Sequence, residues 1–360
     1  MARALPDVLP IPWPADRAEP PAATEEALGR AARLLAEGGL VAIPTETVYG
    51  LAADALDADA VDRIYSAKGR PATNPLIVHV ADAAMARRLA GAWPEAAERI
   101  AAAHWPGPVT VVVPRGPRIP DVVTAGGPTV ALRCPAQPAV RRLIAKLGRP
   151  LAAPSANRST RLSPTTAGHV LDGLGKRVDL ILDGGPCLCG IESTVVDCTV
   201  SPPRILRPGP VGREALAAAI GGPLVDGPAA PAVDEPLRSP GLEARHYAPQ
   251  TPLEVAADGA ARVAEIAGAG GRVAWLALEP DDPRVRAVAA HRGVLVVPMP
   301  ADPASFAASL YAALHAVDRR GLDRVVVDAP PDTEAWRAVA DRLRRGARSG
   351  PGAGERRGPP

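Results

Sequence analysis

The chain has 360 residues, with 41 Lys and Arg against 39 Asp and Glu, a formal net charge of +2 and a pI near 8.4. Roughly 150 residues per domain predicts two domains, each able to bury its own core, and the charge is too balanced to indicate nucleic acid, so any anion site has to be local. No apolar run of about 18 residues marks a membrane-spanning helix, and the start "MARALPDVLPIPWPADRAEP" lacks the apolar centre of a signal peptide.

Residues 1–22 are rich in proline and read as an irregular, disordered tail. A helix follows, with Thr24 as N-cap, Glu25 and Glu26 at its positive end, and Gly38-Gly39 as its stop. "LVAIP" (40–44) reads as a short buried strand, Asp59 as the cap of a helix over "AVDRIYSAK", and "LIVHV" (76–80) as the next strand. Asp82 and Pro94 each open a helix. "VTVVV" (109–113) and "TVALR" (129–133) are β-branched strands, and a helix covers 136–147. "LAAPSAN" runs from strand into loop, and "DLILD" (179–183) and "STVVD" (193–197) are further strands. Several strands succeed one another with no helix between, which predicts a mixed, twisted α/β sheet.

From 221 to 252 the chain is dense in Pro and Gly and reads as a linker. Regular alternation then begins. LEVAAD, RVAWLAL, GVLVVPM and RVVVDAP are strands separated by helices near 258–268, 283–291, 302–320 and 333–345. This is the pattern of a small Rossmann-like α/β domain with a parallel sheet, spanning 253–345, with 346–360 as a disordered tail. The first domain occupies 23–220. "GAGGRVAWLAL" is no dinucleotide fingerprint, because its glycines precede the strand instead of following it. There is no phosphate-loop motif and no H-E-x-x-H.

Four polar clusters interrupt the first domain: "PTETVYG" (44–50), "KGRPATNPLIVH" (68–79), "APSANRSTRLSPT" (153–165) and "GIESTVVD" (190–197). Each has an ordinary structural reading. Thr45 and Thr47 fit one face of a strand, Ser155 and Asn157 fit turns, Ser163 before Pro164 fits a helix cap, and a lone His79 fits a core. Their combination points elsewhere. Lys68 and Arg70 lie beside prolines in a loop that cannot be helical, and a guanidinium fork with a compact ammonium suits phosphate or carboxylate oxygens. The pattern is that of an anion binder, with no Ser-His-Asp arrangement. Four cysteines in so long a chain read as reduced thiols of a cytosolic protein, and Cys187-x-Cys189 as small buried thiols, so no metal site is assigned.

Taken together, "PTETVYGL", "KGRPATNPLIVHV", "APSAN", "GIESTVVD", "ILRPG" and the linker piece "SPGLEARHYAP" resemble the threonylcarbamoyl-AMP synthases in their long form: a YrdC-type domain, a linker and an additional C-terminal domain. The likeness is strong to about residue 212 and in the linker, and architectural beyond 253. It implies a nucleotidyltransferase that joins L-threonine, bicarbonate and ATP, with Mg²⁺, into threonylcarbamoyl-AMP and pyrophosphate. A separate transferase complex would then use the product on tRNA; direct tRNA binding is left open, and no membrane is involved. The family's K-x-R…S-x-N signature falls on Lys68, Arg70, Ser155 and Asn157. Threonine would be held by Thr47, His79, Arg133, Ser193 and the backbone at Ala153. ATP would be held by Arg70, Asn74, Thr129, Ser155, Ser163 and Arg207, with Tyr247 reaching from a linker that acts as a lid. The alternative is a non-catalytic RNA- or nucleotide-binding module on the same domain, against which stand the near-neutral charge and the scarcity of stacking aromatics.

Overall fold

The computed structural model describes residues 4–13, 18–227 and 247–347. The described residues up to Ser159 and from Ser163 to 227 form one compact unit; Thr160–Leu162 and the described residues from Tyr247 onward form a second. No described helix is long and apolar enough to cross a membrane.

The first unit contains, in chain order, strands β1 (Asp7–Pro10), β2 (Val41–Ile43), β3 (Gly50–Asp54), β4 (Ile77–His79), β5 (Val109–Pro114), β6 (Thr129–Arg133), β7 (Leu151–Ala152), β8 (Leu180–Asp183), β9 (Thr194–Asp197), β10 (Arg204–Arg207) and β11 (Val225–Asp226). Its helices are α1 (Ala22–Ala36), α2 (Ala58–Lys68), α3 (Ala83–Leu89), α4 (Glu95–His104), α5 (Asp121–Thr124), α6 (Pro138–Leu147), α7 (Ala167–Leu174) and α8 (Arg213–Ile220). The strands form one sheet in the order β1-β8-β2-β3-β7-β4-β6-β5-β9-β10-β11. It is mixed: β4 lies parallel to β6 and β5 to β9, while β2 and β3, β7 and β4, and β5 and β6 are antiparallel.

Side-chain alternation splits the central strands cleanly. Val78, Val111, Val113, Val130, Leu132 and Val196 enter the main core with α1, α2, α4 and α6 residues such as Leu28, Ile64, Ile100 and Leu143. Their neighbours in sequence face the other way. There Ile77, Val112, Ala131, Val195 and Leu206 form a separate small apolar cluster. That second face also carries His79 and Arg133, which are register partners on β4 and β6.

Several local expectations are corrected. Residues 1–22 are not wholly irregular: Asp7–Pro10 is an edge strand parallel to β8. Thr24 does not cap α1, which begins at Ala22 after Pro21; its hydroxyl instead donates to the Pro12 carbonyl at 2.8 Å and ties down the incoming chain. Asp57, not Asp59, caps α2, accepting the N–H groups of Asp59 and Ala60. Ser163 caps no helix, because α7 starts at Ala167 under Thr166. Strands β3, β10 and β11 and helix α8 have no counterpart among the expected elements. The linker expected over 221–252 is ordered at both margins, by β11 in the first unit and by the residues from Tyr247 on in the second. Residues 228–246, and the tail from 348, lie outside the described residues.

The second unit has strands β12 (Leu253–Ala256), β13 (Val273–Ala277), β14 (Val294–Pro298) and β15 (Arg324–Asp328) in the order β12-β15-β13-β14, all parallel. Helices α9 (Gly259–Gly268), α10 (Pro283–Ala289) and α11 (Pro303–Asp318) each start at an aspartate cap, Asp258, Asp282 and Asp302; α12 (Arg337–Gly346) closes the unit. This is the small parallel α/β domain expected from the alternation. The glycines of "GAGGRVAWLAL" do precede β13.

Gly209, in the "ILRPG" motif, has no room for a side chain: a Cβ there would stand 2.3 Å from the Thr194 backbone nitrogen. Gly209→Ala should lower unfolding free energy in urea by about 2 kcal/mol through overpacking. Gly173→Ala, in α7 with nothing within 4 Å, should instead raise it by about 0.5 kcal/mol through helix propensity. Equal effects of the two changes would contradict the packing account.

Candidate functional site

The loop after α2 begins at Gly69, whose φ of 60° is the left-handed conformation that glycine adopts without strain. Lys68, the last residue of α2, is 2 % exposed. Its ammonium donates to the backbone carbonyls of Ser155 and Asn157, 87 and 89 residues away in the chain. Ser159 N–H returns a bond to the Lys68 carbonyl at 2.9 Å. One buried cation therefore fastens the "KGRPATN" loop to the "PSAN" turn.

Arg70 is also buried, and its guanidinium donates to the carbonyls of Asn74 (Nε, 3.1 Å) and Pro75 (Nη2, 2.9 Å). The loop is thus wrapped around its own arginine, and Tyr65 Oη donates to the Asn74 carbonyl as well. The Asn74 side chain is completely buried, and neither its amide nitrogen nor its oxygen has a hydrogen-bond partner. Such orphaned amides are rare in protein interiors. The PSAN turn is set against β3 through Leu51 N–H to the Pro154 carbonyl and Ala156 N–H to the Tyr49 carbonyl.

The second face of the sheet supplies the rest. Arg133, at the end of β6, is 3 % exposed. Its Nη1 donates to Thr47 Oγ1 at 2.8 Å and its Nε to the Gly107 carbonyl at 3.2 Å. Its Nη2 stands 2.7 Å from Glu46 Oε1. Thr47 is itself fixed by a 2.8 Å contact with Thr45 Oγ1, so the β2–β3 connection is folded onto the arginine. His79 lies beside Arg133 in register. Burial, with the Arg133 charge adding to it, pushes its imidazole pKa down to about 3, and its Nδ1 has no hydrogen-bond partner. Ser193 Oγ lies 2.8 Å from Thr110 Oγ1 and accepts from Arg207 Nη2 at 3.2 Å. Ala153 N–H is used by the Ile77 carbonyl, and Thr129 opens β6 opposite Pro114. Ser163 donates to Glu192 Oε1 at 2.6 Å.

Contacts thus join the expected residues in groups: Lys68 with Ser155 and Asn157, Arg70 with Asn74, Arg133 with Thr47 and His79, and Arg207 with Ser193. Tyr247 belongs to the second unit, where its ring is 1 % exposed, packed against Tyr311 at 6.0 Å and under the Arg342 guanidinium at 5.3 Å. Of the linker expected to act as a lid, residues 228–246 lie outside the described residues. Glu46 and Thr110 were not singled out from sequence. Glu46 lies in a run, 39–55, that the fold buries throughout, a property its sequence does not announce. Burial pushes the thiol pKa of Cys134 and Cys189 up to about 11 and that of Cys198 up to about 12. They are protonated at neutral pH and poor nucleophiles. Among the described residues no group of three or more His, Cys, Asp or Glu is placed to hold a metal ion.

A depressed histidine pKa fixes the sign of a pH effect. The folded protein keeps His79 neutral, while the unfolded chain takes up a proton near 6.5; the contribution to stability is complete above that pH and is lost as pH falls toward about 3. In an NMR titration the His79 ring should show no inflection between about pH 5 and 8, whereas a midpoint near 6.5 would contradict the buried, cation-flanked placement.

Comparison with known proteins bears on this geometry. Residues 33–209 match the family model described as "Telomere recombination" (Sua5_yciO_yrdC), and 211–348 match "Threonylcarbamoyl-AMP synthase, C-terminal domain". The chain is 39 % identical over 340 residues to the threonylcarbamoyl-AMP synthase of Bacillus subtilis, covering 93 % of this chain and 97 % of that protein. It is 39 % identical to the threonylcarbamoyl-AMP synthase of Pyrococcus abyssi, covering 88 % and 92 % of the two chains. Its fold matches the crystal structure of P. abyssi Sua5 complexed with L-threonine with a TM-score of 0.82 at 37 % identity, over 95 % of this chain and 97 % of that one. The chain belongs to the threonylcarbamoyl-AMP synthase family, with both the family's domains present.

Proposed function

We propose that this protein is an L-threonylcarbamoyladenylate synthase, condensing L-threonine, bicarbonate and ATP into threonylcarbamoyl-AMP and pyrophosphate in the cytoplasm. The observation that carries the reading is the buried Arg133 guanidinium on the second face of the sheet, beside Thr47 and His79. Full-length similarity to proteins of that name, and to a relative complexed with L-threonine, supports it.

In this reading the threonine carboxylate pairs with Arg133, and Thr47, His79, Ser193 and the backbone at Ala153 hold the remainder of the amino acid. The triphosphate takes Arg70, Asn74, Thr129, Ser155, Ser163 and Arg207, and Lys68 with Arg70, Ser155 and Asn157 brings the triphosphate and the carbamate together. The threonine nitrogen, having given up its ammonium proton, attacks the carbon of bicarbonate; the C–OH bond breaks and the hydroxyl leaves as water with a proton from the amine, giving the carbamate. The resulting carbamate oxygen attacks the α-phosphorus, and pyrophosphate leaves with the bonding electrons. Carbamate, triphosphate and the amino-acid carboxylate repel one another, so fixed cations and orientation are the main contribution the protein makes. Mg²⁺ would be carried by triphosphate oxygens and water, since no protein cluster is formed for it among the described residues. The product would pass to a separate complex that transfers the threonylcarbamoyl group to tRNA.

The test is to incubate the protein with ATP, bicarbonate and each amino acid in turn, following pyrophosphate and an AMP-linked product. Threonine-dependent release of both is expected. Arg70→Ala should lower the rate by about 100-fold or more, the loss expected of one well-placed cation, with thermal unfolding still cooperative. Pyrophosphate release that ignores threonine would overturn the assignment.

A further inference from the structure

The Arg133–Glu46 pair is close, yet unfinished as hydrogen bonding. Nη2 and Oε1 stand 2.7 Å apart, but they are not aligned donor to acceptor, and neither atom has a hydrogen-bond partner elsewhere. Both side chains are buried, at 3 % and 8 % exposure for the residues. Every other contact holds them still. Arg133 Nε and Nη1 are spent on Gly107 and Thr47. Glu46 Oε2 accepts from Ala136 N–H at 3.0 Å, and the Glu46 carbonyl accepts from Cys189 N–H at 2.7 Å. One donor and one acceptor of opposite charge are therefore presented side by side in an enclosed place, with the rest of each group locked.

We propose that Glu46 reads the ammonium group of the amino-acid substrate and so makes the site selective for a zwitterion. This rests on the reading in which Arg133 receives the substrate carboxylate. Before binding, the buried guanidinium is balanced by one carboxylate, and the pair is neutral. A second carboxylate arriving alone leaves two anions sharing one cation in a desolvated place, which is strongly unfavourable. A zwitterion brings its own cation. Its carboxylate takes the unaligned hydrogen of Nη2, its ammonium takes Oε1, and the site remains neutral. Glu46 thereby excludes hydroxy acids that carry the threonine side chain but no amine. It also places the nitrogen next to the guanidinium-bound carboxylate, the arrangement an α-amino acid presents.

Calorimetric titration of the full chain with L-threonine and with 3-hydroxybutanoate, its des-amino counterpart, tests this. The wild-type protein should bind threonine at least about 100-fold more tightly, the size expected when a buried charge is left unpaired. In Glu46→Gln the threonine affinity should fall by about tenfold or more, while 3-hydroxybutanoate should bind more tightly than to wild type, because Arg133 is no longer neutralised. Opposite movement of the two ligands is what damage to the fold cannot produce. If Glu46→Gln weakens both equally, or if the wild type binds the two within about threefold, Glu46 does not read the amine, while the threonine reading survives. If the wild type binds neither ligand, the threonine reading itself falls and this inference with it.

Discussion

The architecture of the first unit depends on one constraint: β4, β6, β5 and β9 have two faces, and only one is given to the core. Alternation sends Val78, Val111, Leu132 and Val196 to the helices. The residues between them are left to face a second environment, where His79, Arg133 and Thr110 sit around the small cluster of Ile77, Val112, Ala131, Val195 and Leu206. A sheet with both faces apolar would bury more hydrocarbon. This one gives part of that burial up to hold charge where water is scarce, and electrostatic interactions there are stronger than at a wetted surface.

Buried cations need compensation, and the chain supplies it in two ways. Lys68 and Arg70 are solvated by backbone carbonyls at loops, two of them on the PSAN turn and two inside the cation's own loop. Arg133 is matched by the carboxylate of Glu46. The difference matters for function. A carbonyl-solvated cation keeps its full charge for an incoming anion, whereas a carboxylate-matched one becomes selective about what accompanies the anion. The loops carry these groups because tight turns expose carbonyls that strands and helices consume. The second unit anchors the chain in its own way: Gln250 and Thr251 donate their N–H groups to Asp318, and Tyr247 is enclosed by Tyr311 and Arg342.

Much of this was legible in the sequence. The β-branched runs "VTVVV" and "TVALR" and the strand–helix alternation after 253 correspond to β5, β6 and the parallel second sheet. Proline beside Arg70 indicated a constrained loop there, whereas Lys68, expected in the same loop, is instead the last residue of helix α2. What escaped was of two kinds. Cap positions slipped because neighbouring residues compete for them: Asp57 and Asp59 both suit a helix start, and only the turn geometry after β3 selects Asp57. Strands β3 and β10 were hidden because "GLAAD" and "RILR" are too short, and too rich in small or charged residues, to show period two. Glu46 was passed over because a carboxylate between two threonines gives no periodic signal; its meaning comes from Arg133, 87 positions later, which tertiary structure alone brings beside it.

The most direct measurement is a crystal structure of this protein with L-threonine and a non-hydrolysable ATP analogue. The account predicts the amino acid on the second face of the sheet, its carboxylate against Arg133, and the triphosphate against the loop of Lys68 and Arg70. Threonine found away from that face, or the triphosphate away from that loop, would contradict it.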